Sequence, residues 1–189
     1  MVALRFLQQA NRFFFERHLL ITNTLLGGGL MGLGDIIQQT LEIKIFQKAE
    51  HYDWSRTGRM GATGFLLGSL GHGWYKILDQ KLPGADRTTV IKKVCYDLFV
   101  AGPGFAWLFF WGVGVLEKRS LKEIWSEFKV KFPYVFAFDC LLWPPAQAVN
   151  FYYLPPRYRM VYVEAVILFW NIVMSYIKHT NLAPIASKL

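Results

Sequence analysis

The feature that most constrains this chain is a run of regularly spaced glycines between Trp54 and Tyr75. The glycines recur every three or four residues, which is the spacing of one helix face; they are Gly58, Gly61, Gly64, Gly68 and Gly71. In water each would weaken a helix by about 1 kcal/mol relative to alanine. In lipid the backbone must bond to itself, and small residues let a second helix approach closely. The spacing therefore predicts a packed membrane helix rather than a glycine-rich loop.

The composition of the chain agrees with a membrane protein. Of 189 residues, 53% are hydrophobic and only 18% are charged, which is apolar for a soluble domain. The formal net charge of +8 fits contact with nucleic acid, contact with an anionic membrane surface, or loop charges that set topology. Cys95 and Cys140 lie in apolar runs without zinc or redox spacing, so we expect both to be small buried residues.

Five stretches approach the roughly 20 residues that a helix needs to cross a bilayer. They are Leu19–Gln38, Gly58–Leu78, Val94–Leu116, Pro133–Leu154 and Tyr158–Ile177. Pro144 and Pro145 interrupt the fourth, which predicts a kinked span or a re-entrant segment. Residues 117–132 mix both signs of charge and predict an exposed or interfacial helix. The predicted fold class is all-α, a polytopic membrane helix bundle with four to five apolar helices.

This bundle is predicted to occupy residues 19–178, between two short terminal segments. Residues 1–18 are basic and amphipathic, like an organelle-targeting segment. Residues 179–189 form a short tail ending in Ser187-Lys188-Leu189, which at a free C-terminus is the peroxisomal address. The loop charges favour the side that holds the N-terminus and residues 79–93 as the side facing the matrix or the cytosol.

Ionisable residues lie well inside each apolar stretch. They are Asp35, Arg59, His72, Asp97, Asp139 and Glu164. A charge at the bilayer centre costs about 2.5–3.5 kcal/mol on insertion scales, so such groups usually face the bundle interior. One interpretation is a polar pathway or cavity; the other is structural, with the acids paired with Arg59, His72 or tryptophan N–H groups. Asp35, Arg59 and Glu164 are the candidates for a position near the headgroups.

No motif in the sequence indicates catalysis or metal binding. Gly27, Gly29 and Gly32 fit the spacing of a dinucleotide fingerprint, but no strand precedes them and no βαβ unit surrounds them. Neither a nucleophile elbow nor a zinc-binding H-E-x-x-H is present. We therefore predict a protein that is not an enzyme and holds no metal.

Three signatures resemble the Mpv-seventeen/peroxisomal membrane protein (twenty-two-kilodalton) family. The first matches Trp54, Arg56, Arg59, Gly64, Gly68, His72, Trp74 and Tyr75, with Ser69 in place of the family proline. The second matches Trp143, Pro144, Gln147, Asn150, Phe151, Pro155 and Arg159, and the third Trp170, Met174 and Ser175. Gly34, Asp35, Gln39, Asp97 and Pro103 fit further family positions, although Leu98 replaces the usual glutamine. The sequence from Leu20 to Leu25 is most similar to the branch called Mpv-seventeen-like protein two.

The resemblance implies a small multi-span organelle membrane protein with no enzymatic cofactor. Its candidate polar-core and signature residues are Asp35, Arg56, Arg59, His72, Trp74, Asp97, Asp139, Trp143, Gln147, Asn150, Glu164 and Trp170. The similar branch implies the mitochondrial inner membrane and support of mitochondrial ribosome assembly and translation. Basic residues in and near the second loop, from Lys76 to Lys93, are the expected contacts with ribosomal RNA phosphates or protein.

Other branches of the family imply a channel or a metabolite-homeostasis protein of the mitochondrial or peroxisomal membrane. In this chain such a pore would be built around His72, Asp97 and Asp139. The lipid bilayer is an expected partner in either case. The Gly64 and Gly68 spacing also permits helix pairing between two copies of the chain.

Overall fold

The computed structural model describes residue 13 and residues 17–84, 86–153 and 156–180, with the backbone alone at 79, 148, 150–152, 156–161, 163 and 164. This part of the chain forms five long helices and no strand: α1 (Leu19–Lys44), α2 (Trp54–Lys81), α3 (Arg87–Leu116), α4 (Leu121–Tyr153) and α5 (Pro156–His179). The fold is the all-α membrane helix bundle that the sequence predicts. Most of the predicted targeting segment, and the tail from residue 181 that includes Ser187-Lys188-Leu189, lie outside the described residues.

Two of the five helices, α1 and α3, are long and apolar enough to cross a membrane, by length and composition. In α5, the part with described side chains, Ala165–His179, is apolar as well. Glycine lowers the hydropathy of α2, and α4 begins with a charged segment, residues 121–132, outside its predicted span. α2 and α4 are therefore recognised less readily from hydropathy alone.

Successive helices run in opposite directions. Gly27 of α1 faces Gly64 of α2, Trp74 of α2 faces Asp97 of α3, and Gly114 of α3 faces Ile124 of α4. One end of the bundle, called the proximal end, holds the start of α1, residues 82–84 and residue 86. The other, the distal end, holds residues 45–53, residues 117–120 and the last turn of α5.

The α1–α2 pair is the closest helix contact in the bundle. A Cβ atom on Gly68 would lie 2.5 Å from the backbone oxygen of Asn23, and one on Gly27 would lie 2.7 Å from that of Gly64. Only glycine allows backbones to approach this closely. Gly64 and Gly68, which the sequence also offered for pairing between chains, are thus packed against α1 of the same chain.

The predicted glycine stripe is divided between contact and open space. A Cβ on Gly61 would make an ordinary contact 3.5 Å from the oxygen of Gly28, but one on Gly58 or Gly71 would meet nothing within 4 Å. The close packing predicted for Gly58 and Gly71 is therefore absent, because these two positions do not face α1, which contacts α2 from Thr57 to His72.

α3 changes its winding halfway along. An α-helical part, Arg87–Tyr96, is followed by a π-helical turn, Asp97–Ala101, and by a second α-helical part, Gly102–Leu116. The backbone N–H of Gly102 bonds to the carbonyl of Asp97, and Pro103 follows in the first turn of the next part. A π-turn inserts one extra residue and so rotates the side chains around it relative to a regular helix.

α4 differs from its prediction in two ways. It is one continuous helix through Pro133, Pro144 and Pro145, so the expected interruption is absent at the level of secondary structure; neighbouring groups in a bundle can satisfy the backbone that a proline frees. Its charged first part is continuous with the rest, and Ile124 and Phe128 on one face are buried.

The apolar core lies between α3, α4 and the ends of the other helices. Phe109, Phe110 and Val113 of α3 pack with Ile124 and Val135 of α4. The cysteines are not part of it: Cys95 is exposed and Cys140 is half-buried. The prediction that both are buried was wrong because the exposed sides of these helices are apolar as well, as in proteins that contact lipid.

Candidate functional site

A buried polar cluster joins α1, α2 and α5 near the distal end. Asp35, which is fully buried, accepts hydrogen bonds on one oxygen from Arg56 Nε (2.7 Å) and Ser175 Oγ (2.6 Å). Its other oxygen accepts bonds from Gln39 Nε2 and Thr57 Oγ1, both at 2.7 Å. With Glu42, which pairs with Arg56 at 2.7 Å, these residues form the Asp35 cluster. Every oxygen of Asp35 is satisfied within the chain, which favours a structural role.

A second ionic cluster ties α4 to α5 at the same end. Glu127 accepts bonds from Lys131 and Lys178, each at 2.9 Å, and also pairs with Arg119. Lys178 reaches Glu117 at 3.1 Å as well. Burial opposes ionisation of Glu127, but the hydrogen bonds and charges of the two lysines outweigh it and lower its pKa to about 2. Burial in turn lowers the pKa of Lys131. Glu117, Arg119, Glu127, Lys131 and Lys178 are called the Glu127 cluster.

Between the five helices lies a cavity of about 300 Å³, the central cavity. Its wall is mostly apolar. Its polar members come from all five helices and include Asn23, His72, Asp97, Asp139, Gln147 and Asn171. Pockets of this kind, an apolar enclosure with a few convergent polar groups, are typical of small-molecule sites.

Asp97 reaches the central cavity from the π-helical turn of α3. Its carboxylate accepts hydrogen bonds from Trp74 Nε1 (3.0 Å) and the Tyr75 hydroxyl (3.2 Å). Both donors belong to the last part of α2, so the contact joins α2 to α3. Both are also neutral, so they stabilise the carboxylate without cancelling its charge.

Asp139 enters the same cavity from α4 and is 5% exposed. Its Oδ1 accepts a bond from Trp143 Nε1, one turn along the helix, at 3.0 Å. Its Oδ2 lies 3.7 Å from the position of a Cβ on Gly102. The same Cβ position lies 3.6 Å from the backbone oxygen of Asp97, so the glycine after the π-turn brings the two aspartates to one part of the wall.

Amide side chains complete the polar lining. The Asn23 amide nitrogen lies 3.3 Å from Nδ1 of His72, which joins α1 to α2. The Oδ1 of Asn23 is buried without a hydrogen-bond partner. Asn171 of α5, 3% exposed, packs on Gly34 and also lines the cavity. Gln147 of α4 lines it close to Trp143.

The distal side of the central cavity is closed by apolar residues. Met31, Phe109, Val135 and Met174 line the cavity and belong to the buried core. Asp35 of α1 and Ser175 of α5 come shortly after these wall residues in the chain, and Lys131 of α4 comes about one helical turn before Val135. The Asp35 and Glu127 clusters therefore lie immediately beyond the distal wall.

The predicted polar residues thus separate into two groups. Asp35 and Arg56 belong to the distal clusters, while His72, Asp97, Asp139, Trp143, Gln147 and Trp170 line the cavity and Trp74 supports Asp97. Arg59 belongs to neither: it lies 3.6 Å from the exposed Asp53 and donates to Ser55. The side chains of Asn150 and Glu164 lie outside the described part.

Sequence reasoning missed most of the partners in these sites. Glu42, Thr57 and the whole Glu127 cluster were not predicted, and Asp35 pairs with Arg56 rather than Arg59. The spacing of Glu127 and Lys131, four residues apart on a helix, was an available signal. Among the described residues, no group of three or more histidine, cysteine or acidic side chains could hold a metal ion.

Comparison with known proteins places the chain among membrane proteins. The family model described as Mpv17 / PMP22 family matches residues 114–175. The mitochondrial inner membrane protein Mpv17 of Rattus norvegicus is 35% identical over 156 residues, 82% of this chain and 88% of the relative. Its counterpart of the same name in Homo sapiens is 34% identical over the same shares.

A further relative comes from Dictyostelium discoideum. Its PXMP2/4 family protein 2 is 31% identical over 165 residues, which is 86% of each chain. No solved structure matches the chain.

Proposed function

The chain belongs to the Mpv17/PMP22 family of membrane proteins, as its signature residues indicated, and from that premise we propose that it admits a small polar solute to its central cavity, as a channel or metabolite-homeostasis protein. We place it in the mitochondrial inner membrane, because the rat and human relatives carry that location in their names. The peroxisomal membrane is the alternative, favoured only by the PXMP2/4 name of the Dictyostelium relative.

The observation that carries this proposal is the central cavity. It is lined by all five helices and about 300 Å³ in volume, which is room for a small metabolite. Its acidic residues, Asp97 and Asp139, come from two different helices and both lie close to Gly102, just after the π-turn. Polar groups in a membrane interior that face a cavity usually mark a solute pathway.

The test is solute flux through the full-length protein in liposomes, with a variant that fills the cavity. Gly71 lines the cavity and a Cβ there meets open space. Gly71→Phe should therefore obstruct the cavity without a clash. Gly73→Phe, two residues away with equally open space but outside the lining, is the matched control.

We expect the wild type and Gly73→Phe to release small solutes at similar rates, and Gly71→Phe to release them several-fold more slowly. Equal flux through all three proteins would mean that solutes do not use this cavity. Flux no greater than that of empty liposomes would refute the channel form of the proposal.

A second candidate function is support of mitochondrial ribosome assembly and translation. The observation that favours it is a basic surface at the proximal end. Lys76 and Lys81 of α2 and Arg87 and Lys92 of α3 are all exposed, and Lys93 is nearby. By the positive-inside rule this end faces the matrix, where ribosomal RNA phosphates could meet it.

Co-sedimentation with mitochondrial ribosomal subunits in mild detergent tests the second function. Binding through phosphates should weaken steeply as salt rises. The double variant Lys81→Gln/Lys92→Gln should lower the bound fraction, whereas Lys122→Gln/Lys129→Gln, an equal loss of charge on exposed residues of α4, should leave it unchanged. Absence of the wild type from ribosomal fractions at low salt would rule this function out.

A further inference from the structure

Acidic side chains outnumber basic ones in the wall of the central cavity. Asp97 and Asp139 both line it, and among its described lining residues His72 is the one basic side chain, with no lysine or arginine. The hydrogen-bond donors to these carboxylates are Trp74, Tyr75 and Trp143, which are all neutral. The in-chain donors therefore bring no positive charge to the two acids.

At the distal end the same fold supplies a cation to the acids Asp35 and Glu127. Asp35 has Arg56 at 2.7 Å, and Glu127 has Lys131 and Lys178 at 2.9 Å. Leaving a carboxylate unpaired in a low-dielectric interior is costly. The contrast indicates that the cationic partner of the cavity acids is supplied from outside the chain.

The cavity also presents acceptors that the chain itself leaves unused. No hydrogen bond joins Oδ2 of Asp139 to another described residue, although the side chain is 95% buried (5% exposed). The Oδ1 of Asn23 is buried without a partner. Asn171, almost completely buried, lines the same space. These oxygens suit a ligand that donates several hydrogen bonds.

The remaining wall suits an organic cation rather than a bare metal ion. Phe105, Phe109 and Trp170 line the cavity, and aromatic rings attract cations as well as apolar groups. The volume of about 300 Å³ leaves room for a hydrocarbon part beside the charged group. The described residues offer no metal-ligating cluster.

We infer that the central cavity binds a small organic ammonium cation, held at its charged end by Asp97 and Asp139 and packed at its apolar end against the aromatic wall. This inference rests on the proposed function, because it names the ligand class of the same cavity. Three donors on a primary ammonium group match the carboxylate and amide oxygens around it.

The test is ligand-induced stabilisation of the purified full-length chain in detergent. Butylammonium is the probe, with butyrate as its anionic and butanol as its neutral counterpart of similar size, all at equal ionic strength. A ligand that binds the folded state raises its unfolding midpoint in a saturable way. Butylammonium should do so, and the other two should not.

Two isosteric variants locate the binding site. Asp139→Asn and Asp97→Asn keep an oxygen that can accept the tryptophan bonds but remove the charge. Each should weaken butylammonium binding by ~10- to 100-fold, which is the loss of affinity expected when one charged hydrogen bond is removed. Glu50→Gln, which removes an exposed acid from the loop before α2, should leave the affinity unchanged.

Stabilisation of the wild type by butyrate as strongly as by butylammonium would overturn the inference, and this comparison needs no variant to fold. Unchanged affinity in both folded aspartate variants would overturn it too. Since binding is measured without a membrane, absence of flux in liposomes would refute the channel alone. Flux without selective butylammonium binding would refute this inference and leave the channel standing.

Discussion

The close approach of α1 and α2 makes a sharp prediction about a single methyl group. In Gly68→Ala the new Cβ would lie 2.5 Å from the backbone oxygen of Asn23 and 3.2 Å from the Cα of Thr24. In Gly71→Ala, one turn further along the same helix, the new Cβ meets nothing within 4 Å. The two variants therefore add the same atom to the same helix in opposite surroundings.

The expected difference follows from the distances. To restore an ordinary contact of 3.4 Å, the helices must separate by about 1 Å at Gly68. Overpacking of this kind costs about 1–3 kcal/mol, and the upper part of that range applies because the obstructing atoms are backbone. The gain in helix propensity, up to about 1 kcal/mol, is common to both variants and cancels in their difference. Gly68→Ala should thus be about 2–3 kcal/mol less stable than Gly71→Ala.

The measurement is reversible unfolding in mixed micelles, followed by circular dichroism as the fraction of denaturing detergent rises. The free energy of unfolding is compared for the wild type and the two variants, after gel filtration has established that each is monodisperse. Gly58→Ala, also in open space, is a second control. If Gly68→Ala and Gly71→Ala are equally stable, α1 and α2 do not touch at this point and the packing described above is refuted.

Two other perturbations concern the distal clusters. Arg56→Met should cost about 3–5 kcal/mol of unfolding free energy, because it leaves the fully buried Asp35 uncompensated; Arg59→Met, whose ion pair is partly exposed, should cost less than about 1 kcal/mol. The interactions that lower the pKa of Glu127 contribute at most about 3 kcal/mol to the free energy of unfolding. This contribution is present above the ordinary pKa of 4.5 and is lost as the pH falls towards about 2. Thermal unfolding in detergent between pH 7 and pH 3 should therefore show a smaller loss of stability in Glu127→Gln; identical pH profiles would contradict this.

The sequence was sufficient to predict those features of the fold that depend on a single segment of the chain. Glycine spacing identified α2 because helical periodicity is a property of one segment. It could not separate Gly68 from Gly71, because their surroundings depend on where α1 crosses. The same limit applies to Asp35: its presence in an apolar stretch marked it as unusual, but its choice of Arg56 over Arg59 depends on the rotation of α2 against α1.

Local rules also failed where tertiary structure overrides them. Pro144 and Pro145 predict an interruption, yet α4 continues through both. The π-turn at Asp97 had no recognised signal beyond Pro103, so the backbone geometry that brings Asp97 near Asp139 was not predicted. The sequence did favour His72, Asp97 and Asp139 as the residues around one pore, and all three line the central cavity.

The uneven distribution of ion pairs predicts from which side the cavity opens. At the distal end, the Asp35 and Glu127 clusters tie α1, α2, α4 and α5 together through charged groups. At the proximal end, the contacts among the described side chains near the cavity are neutral-donor bonds such as those to Asp97, which separate at lower cost. Solute should therefore enter at the proximal end, past the start of α1 and residues 82–84.

This direction of entry can be measured with a thiol reagent that does not cross membranes. In a chain carrying Cys95→Ser and Cys140→Ala, the variant Gly71→Cys places one thiol in the cavity wall, at a position where a Cβ meets open space. The reagent should modify it when added to the side of residues 82–84 and not when added to the side of residues 45–53. Modification from the distal side alone would mean that the ionic clusters are the mobile end of the bundle and that the proximal contacts hold it closed.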